Sequence, residues 1–167
     1  ALSRITIFTE KHEICCKWLA LSTGATDPLP HSVGFQKPYS IPAIEEELEL
    51  HEADTIYRHP RFDFDVVKVG YAWCFPKANM VSVGILTTAK KVNLFSTLKD
   101  YKLKIGISKL KQVRIGGHPI PSRPVDKFAI GNTFVVGDAA GLVDPLTFEG
   151  VFYSYKSAQI LSETLLL

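Results

Sequence analysis

Cysteine is scarce in this 167-residue chain, and its three copies are poorly placed for a disulfide or metal framework. Cys15 and Cys16 are adjacent and Cys74 is distant, so the spacing matches neither paired disulfides nor a metal-binding motif. An odd number of thiols without such a framework is typical of a reducing compartment. We therefore expect a cytoplasmic protein without a metal centre.

Long apolar runs and a strong charge of one sign are also missing. No stretch reaches the roughly 18 consecutive apolar residues of a membrane-spanning helix, and no signal peptide is visible at the first residues. The 19 basic and 17 acidic side chains leave a net charge of only +2. That balance does not indicate nucleic-acid binding, and the 46% of hydrophobic residues is typical of a globular domain.

Alternating apolar residues are abundant and predict strands. Strands are expected over four segments, which are 4–8, 14–24, 44–59 and 133–138. The third is acid-rich and also fits a helix, but we favour a strand whose glutamates form a solvated face.

A hairpin over 69–86, turning at the letters PKAN, is the clearest element. Helical spacing follows over 93–104, with Asn93 as a candidate N-cap, and again over 150–167. Loop composition marks 25–38 and 116–124. Together these elements predict a mixed α/β (α+β) fold.

The stretch VVGDAAGLVDPLTFEG, residues 135–150, surrounds an acidic side chain with residues of little bulk. A strand that ends at Asp138 presents a carboxylate at the sheet edge where open α/β folds bind nucleotides. An ionised Asp138 accepts hydrogen bonds, so it suits a ligand rich in hydroxyl groups. The small residues after it let such a ligand approach the backbone.

The end of the same stretch adds a preference for negative charge. Pro145 stiffens the loop, and Gly150 begins a helix whose first amide groups have no partner within the helix. Those amides and the helix dipole favour an anion. A reduced flavin would use all of these features, because its ribityl chain is polyhydroxylic and its pyrimidine edge is negatively charged. A turn and a packing helix without any ligand explain the stretch equally well.

Three aromatic residues of the hairpin lie on one strand face, because side chains alternate along a strand. They are Tyr71, Trp73 and Phe75. The three rings together make a broad apolar wall suited to an apolar ligand. Taken singly, Trp73 and Phe75 are explained better as ordinary sheet core.

Both motifs resemble one known family. Seven residues match the second flavin-contacting motif of hydroxylase-like FAD oxidoreductases, and specifically of the geranylgeranyl reductases: Gly137, Asp138, Ala139, Ala140, Gly141, Pro145 and Gly150. The letters YAWCFPK are similar to the Tyr-x-Trp-x-Phe-Pro-Lys hairpin of the same reductases. The chain departs from the pattern at Phe148, where the family usually has Gly. The resemblance covers nearly all of this chain but only the later part of a family member.

The resemblance implies a fragment of the hydroxylase-like FAD-binding fold. Its implied segments are returning strands of the FAD-binding domain at 1–26, a substrate-side antiparallel sheet with a helix at 27–118, and the late strand, flavin-contacting motif and helix of the FAD domain at 119–167. It implies FAD contacts for eight residues, which are Gly24, Gly137, Asp138, Ala139, Gly141, Pro145, Phe148 and Gly150. It implies that Tyr71, Trp73 and Phe75 contact an isoprenoid or prenyl-lipid substrate.

The implied reaction is hydride transfer from reduced FAD to a carbon–carbon double bond of an isoprenoid chain, with NAD(P)H as a candidate electron donor. No residue stands out as a catalytic acid or base. No Gly-x-Gly-x-x-Gly turn is present to hold the pyrophosphate of FAD, so we expect an incomplete cofactor site in a fragment of a larger fold.

Two alternatives remain open at this point. One is another flavin enzyme of the same fold, such as a monooxygenase or dehydrogenase. The other is a non-catalytic lipid- or partner-binding domain. The basic residues between Lys90 and Arg114 fit peripheral membrane association, although a solvated helix face explains them more simply.

Overall fold

The computed structural model describes residues 4–50 and 59–166. Ten strands occur in these ranges: β1 (Ile5–Phe8), β2 (Glu13–Cys16), β3 (Leu19–Leu21), β4 (Tyr39–Glu49), β5 (Arg61–Asp63), β6 (Gly70–Pro76), β7 (Met80–Thr87), β8 (Gln112–Arg123), β9 (Ala129–Ile130) and β10 (Thr133–Val135). The helices are α1 (Leu29–Ser32), α2 (Leu94–Lys104) and α3 (Val151–Leu165), and a 3₁₀ turn covers Gly137–Ala140. The predicted mixed α/β class is confirmed.

The chain divides into two compact units, and residues 41–119 form the second. Its sheet has the order β5-β6-β7-β4-β8. The predicted hairpin is confirmed as β6 and β7, which place Trp73 opposite Gly84. The Lys77 amide donates to the Met80 carbonyl at 2.7 Å and closes the turn.

Helix α2 covers one face of this sheet. It begins after Asn93, whose side chain accepts a hydrogen bond from the Ser96 amide at 3.1 Å, as the N-cap prediction requires. Leu98 and Tyr101 of the helix are buried in a core whose sheet side consists of Ile44, Leu48, Ala72, Cys74, Val81, Val83 and Ile85. The strand period thus sends Ala72 and Cys74 towards α2 and leaves the aromatic residues of β6 on the opposite face.

The acid-rich segment forms strand β4 as far as Glu49, so the strand prediction is confirmed there, while positions 51–58 lie outside the described residues. The expectation of a solvated glutamate face is wrong for Glu46, whereas Glu45, Glu47 and Glu49 on the other strand face are partly exposed. Glu46 is only 7% exposed and forms an ion pair with Lys102 of α2. On the strand it shares a face with Ile44 and Leu48, so it points into the core, where the lysine ammonium balances its charge.

The first unit contains residues 1–40 and 120–167, of which the structure describes 4–40 and 120–166. Its sheet has the order β3-β10-β9, with β3 parallel to β10 and Leu21 opposite Val135. Both residues are buried in a core with Phe35, Val125 and Ala140. Strand β1 pairs with β2 in a separate two-stranded sheet.

Two sequence-based boundaries are wrong in informative ways. Segment 14–24 is two strands rather than one, because the Leu19 amide bonds the Asn132 carbonyl at 3.0 Å and the chain changes its sheet partner there. Segment 116–124 is mostly strand β8 rather than a loop. Strand β8 lies at the edge of its sheet, where proline is tolerated because one side of the strand needs no hydrogen-bond donor.

Candidate functional site

A cavity of about 500 Å³ lies within the first unit, beside the end of β10 and the start of α3. Five of the residues selected for cofactor contact line it: Gly24, Gly137, Asp138, Phe148 and Gly150. They come from three separate parts of the sequence, and the fold brings them to one opening. The lining also includes Ser22, Ile120 and Val143, which no sequence motif indicated.

Gly137 allows α3 to approach the strand end at the back of the cavity. Its φ is +57°, and its amide donates to Ser157 Oγ at 3.0 Å. A Cβ added at this position would lie 2.7 Å from Ser154 Oγ, which is too close for an ordinary contact. A glycine is therefore required here both for backbone conformation and for space.

The carboxylate of Asp138 lies beside the start of α3. A Cβ added at Gly150 would stand 2.8 Å from Asp138 Oδ1. Gly24, which lines the same cavity, has a φ of +84°, and a Cβ there would meet no atom within 4 Å. The cavity wall thus combines an acceptor group with open space at Gly24, as a hydroxyl-bearing ligand would need.

A turn centred on Asp144 shapes the loop before α3. Its Oδ1 accepts hydrogen bonds from the amides of Leu146 at 3.0 Å and Thr147 at 2.7 Å. Hydrogen bonds from Thr147 and then Leu146 lower the pKa of Asp144 below its usual value. The Phe148 amide bonds the Asp144 carbonyl at 2.9 Å, and Phe148 adopts a φ of +57°. The turn thus holds a bulky residue in the left-handed region, where the family pattern has Gly.

The first two amides of α3 are not free, contrary to the prediction. The amides of Val151 and Phe152 both donate to Oε1 of Glu149, the latter at 3.1 Å. A carboxylate at a helix N-terminus is favourable because it satisfies unpaired amides and the helix dipole. A negatively charged ligand group could use these amides only by displacing Glu149.

The remaining three residues selected for cofactor contact do not line the cavity. Ala139 is only 1% exposed, and Pro145 lies on the exposed loop. Gly141 has a φ of +71°, and a Cβ there would lie 2.1 Å from the Arg123 carbonyl oxygen. Ala139 and Gly141 belong to the 3₁₀ turn and its C-cap, and Pro145 belongs to the loop before α3.

The aromatic residues of β6 form a continuous surface in the second unit. The ring centroids of Tyr71 and Trp73 are 6.1 Å apart, and those of Trp73 and Phe75 are 6.2 Å apart. A Cβ at Gly84 would lie 2.1 Å from Cζ2 of Trp73, so the indole rests directly on the β7 backbone. Trp73 Nε1 donates to Ser82 Oγ at 3.3 Å.

Sequence reasoning missed two further aromatics on this surface, Phe62 and Phe64. The Phe62 ring lies 5.0 Å from Phe75 and 5.5 Å from Tyr71, and Phe64 lies 5.5 Å from Tyr71. They are 41% and 54% exposed, whereas Tyr71 and Trp73 are buried. The alternation in RFDF, residues 61–64, is the signal that could have revealed them.

A polar cluster links α2 to β5 on the sheet face that α2 covers. Tyr101 donates its hydroxyl to Asp63 at 2.6 Å, and Arg61 forms a two-pronged ion pair with the same carboxylate at 2.6 and 3.0 Å. Burial opposes ionisation of Asp63, but the hydrogen bonds from Arg61 and Tyr101 outweigh it and lower its pKa. Burial and the Asp63 hydrogen bond raise the pKa of Tyr101, and burial raises the pKa of Cys74 to about 11. Tyr101 and Cys74 are therefore neutral at physiological pH, and their role here is packing and anchoring.

No group of three or more His, Cys, Asp or Glu residues in 4–50 and 59–166 is placed to hold a metal ion. Within the same ranges, no helix has the length and apolar character needed to cross a membrane.

Comparison with solved structures defines the class of fold. The chain superimposes on a geranylgeranyl bacteriochlorophyll reductase-like protein from Thermoplasma acidophilum with a TM-score of 0.75 and 20% identity, covering 92% of this chain and 42% of that one. A tryptophan 6-halogenase from Streptomyces toxytricini gives a TM-score of 0.72 at 14% identity, covering 93% of this chain and 33% of that one. The fold is that of the hydroxylase- and halogenase-like flavoproteins.

Sequence comparison narrows that class to a family, although no family model matches the sequence. The chain is 31% identical to a chloroplastic geranylgeranyl diphosphate reductase of Oryza sativa subsp. japonica, over 88% of this chain and 31% of the relative. It is 33% identical to the Synechocystis geranylgeranyl diphosphate reductase, over 74% of this chain and 32% of the relative. A digeranylgeranylglycerophospholipid reductase of Methanocaldococcus jannaschii is 33% identical over 61% of this chain and 27% of its own length.

The chain therefore belongs to the geranylgeranyl reductase-like family of FAD-dependent oxidoreductases. It spans about a third of the length of the curated relatives that it matches.

Proposed function

We propose that this chain is part of an FAD-dependent reductase that saturates carbon–carbon double bonds in isoprenoid chains. The observation that carries the proposal is the cavity where Gly24, Asp138 and Gly150 meet. Two of the curated relatives are named geranylgeranyl diphosphate reductase, which supports an isoprenoid substrate.

The cavity residues fit the ribityl chain of a flavin better than its negatively charged pyrimidine edge. The Asp138 carboxylate and the open space at Gly24 suit the hydroxylated ribityl chain. The first two amides of α3 already donate to Glu149, so an anionic ligand group could use these two amides only after movement of that side chain. A cavity of about 500 Å³ is also small for a whole dinucleotide, in agreement with an incomplete cofactor site.

The chain's own residues would have binding and positioning roles. Asp138 would accept hydrogen bonds from the ribityl hydroxyls, and Gly24, where an added Cβ would meet no atom within 4 Å, would let the cofactor approach the backbone. A bound flavin would supply the hydride for the substrate alkene. The exposed rings of Phe62 and Phe64 would contact the isoprenoid chain, and Tyr71, Trp73 and Phe75 would form the apolar wall against which those rings pack. NAD(P)H is the proposed source of electrons, and a cytoplasmic or membrane-surface location is proposed with it.

Flavin binding tests the cofactor part of this proposal. The chain is titrated with FAD, and quenching of flavin fluorescence is compared for the wild type, Asp138→Asn and the control Asp100→Asn, which alters an exposed acid of α2. We expect weak binding that the Asp138 substitution weakens further by about tenfold, since a charge-assisted hydrogen bond is lost. Equal binding by all three proteins would contradict the role of Asp138, and tight one-to-one binding would contradict the incomplete site.

A turnover assay tests the substrate part. Geranylgeranyl diphosphate and chemically reduced FAD are incubated with the chain joined to a family nucleotide-binding segment, and mass spectrometry detects a gain of two hydrogen atoms per reduced bond. Phe62→Ala should raise the KM for the prenyl substrate more than it lowers kcat, because the ring provides binding contact away from the reacting bond. Absence of any saturated product would overturn the reductase proposal.

Non-catalytic lipid binding is a second candidate function. Phe148 in place of Gly and the Glu149 carboxylate at the helix amides favour it, because both change the part of the site nearest the helix start. Binding of geranylgeraniol without any Asp138-dependent flavin binding would support this alternative over the reductase.

A further inference from the structure

A second cavity of about 410 Å³ lies in the first unit, where the chain enters β4 and leaves β8. Its walls include Gln36, Lys37, Tyr39, Arg123 and Asp126. None of these residues lines the cavity beside Asp138. We propose that this second cavity binds a phosphate ester, and the inference does not depend on flavin binding.

The charges in the cavity are two cations against one anion. Lys37 and Arg123 supply the positive charge, and neither forms an ion pair with another described residue. The Arg123 guanidinium lies 4.8 Å from the centre of the Tyr39 ring. A stacked guanidinium keeps its edge N–H groups available for hydrogen bonds, and their planar fork matches the oxygens of a phosphate.

The backbone around these side chains is held by buried neighbours. Phe35 and Val125 flank the cavity residues in sequence and are 1% and 4% exposed in the core of this unit. Ser122 Oγ donates to the Tyr39 carbonyl at 3.2 Å and ties the two segments together. The backbone of Arg123 packs against Gly141, where an added Cβ would lie 2.1 Å from the Arg123 carbonyl oxygen. The backbone segments that carry Lys37 and Arg123 are therefore held in place by the core of this unit.

The remaining polar groups indicate what else the ligand carries. Gln36 Oε1 accepts a hydrogen bond from the Asp126 amide at 3.4 Å, which leaves the Gln36 NH₂ group directed to other acceptors. The Asp126 carboxylate accepts hydrogen bonds only, so it repels bare phosphate and favours a hydroxyl next to the phosphate. The cavity is therefore better suited to a hydroxylated phosphate ester than to diphosphate alone.

Binding measurements with defined probes test this site. Isothermal titration of the full chain with glycerol 1-phosphate, adenosine monophosphate and inorganic pyrophosphate gives the affinity for each. We expect Arg123→Gln to weaken binding of all three by about tenfold, through loss of a charge-assisted contact. Lys127→Gln removes a neighbouring exposed cation outside the cavity and should leave the affinities unchanged. Asp126→Asn should strengthen pyrophosphate binding and weaken glycerol 1-phosphate binding.

Each outcome of this experiment supports or overturns the proposal. Preference for glycerol 1-phosphate would identify a lipid head group as the source of the ligand, and preference for adenosine monophosphate would identify a nucleotide. Equal weakening by Arg123→Gln and Lys127→Gln would mean diffuse electrostatic attraction and would overturn the site. Absence of binding by the wild type, with its fold intact by circular dichroism, would overturn it as well.

Discussion

At the scale of single residues, Phe148 combines a large side chain with a backbone conformation that favours glycine. Its φ of +57° is maintained by the hydrogen bonds of the Asp144 turn. A left-handed conformation costs a residue with a Cβ about 1–2 kcal/mol. Such strain occurs preferentially at functional sites, and Phe148 lines the candidate cofactor cavity.

Comparison of Phe148→Gly with Phe148→Ala measures this strain, because both variants lose the ring. We expect the glycine variant to be the more stable by about 1 kcal/mol in urea unfolding. At Lys99, in the middle of α2, the order should reverse, with alanine favoured by about 1 kcal/mol. If the alanine variant were the more stable one at both positions, residue 148 would not be in a left-handed conformation.

Gly84 must be a glycine because the Trp73 ring lies in close contact with it. Gly84→Ala should destabilise the protein by about 1–3 kcal/mol, because the new methyl group overlaps the buried Trp73 indole. Tryptophan fluorescence should change with it. Gly116→Ala is the matched control, since a Cβ there meets nothing within 4 Å. If both variants unfold at the same urea concentration, the stacking of Trp73 on β7 is incorrect.

At the scale of secondary-structure elements, α2 is attached to the sheet by apolar packing and by two polar links. Leu98 and Tyr101 lie in the core, the Tyr101 hydroxyl reaches Asp63 of β5, and Lys102 reaches Glu46 of β4. The position of the helix therefore depends in part on the Asp63 carboxylate. Because the pKa of Asp63 is lowered by folding, its charged form stabilises the native state.

Acid unfolding tests this link. The contribution of Asp63 is present above its ordinary pKa of 3.8 and is lost as the pH falls through its lower native value. Asp63→Asn should therefore reduce stability at pH 7 and flatten the loss of stability below about pH 4. Asp65→Asn, which removes an exposed carboxylate paired with Lys104, should have a much smaller effect. Parallel acid profiles for wild type and Asp63→Asn would refute the link.

At the scale of the whole molecule, the residues that the structure describes form two hydrophobic cores. One includes Leu21 and Val135, and the other includes Leu98 and Val83. Each core belongs to one compact unit. Stability need not be uniform across such a chain, because each unit can open with its own free energy.

Hydrogen exchange of two core variants should reveal separate units. Leu21→Ala should speed exchange in β3 and β10, and Leu98→Ala should speed it in β6 and β7, each through a loss of about 2–5 kcal/mol. Each variant is the control for the other. Uniform acceleration along the entire chain in both cases would mean that the molecule opens as a single cooperative unit.

The periodicity of apolar residues and the N-cap residue Asn93 were sufficient to predict the hairpin and helix α2. The hairpin followed from the two-residue alternation of aromatics, and α2 followed from Asn93 and the spacing of Leu98 and Tyr101. The separation of 14–24 into two strands was not predictable, because the change of partner at Leu19 depends on Asn132, more than a hundred residues later. The same holds for β8, whose prolines are tolerated only because it is an edge strand.

By itself, the amino-acid sequence determined the mixed fold class, the faces of the hairpin and the family, since these depend on local spacing and on motifs that are contiguous in the chain. Only the tertiary structure decided which selected residues share a cavity, that Glu46 is buried against Lys102, and that Glu149 occupies the amides of α3. The reason is physical: burial, ion pairing and capping depend on which side chains folding brings within a few ångströms, and residue order does not encode those distances directly.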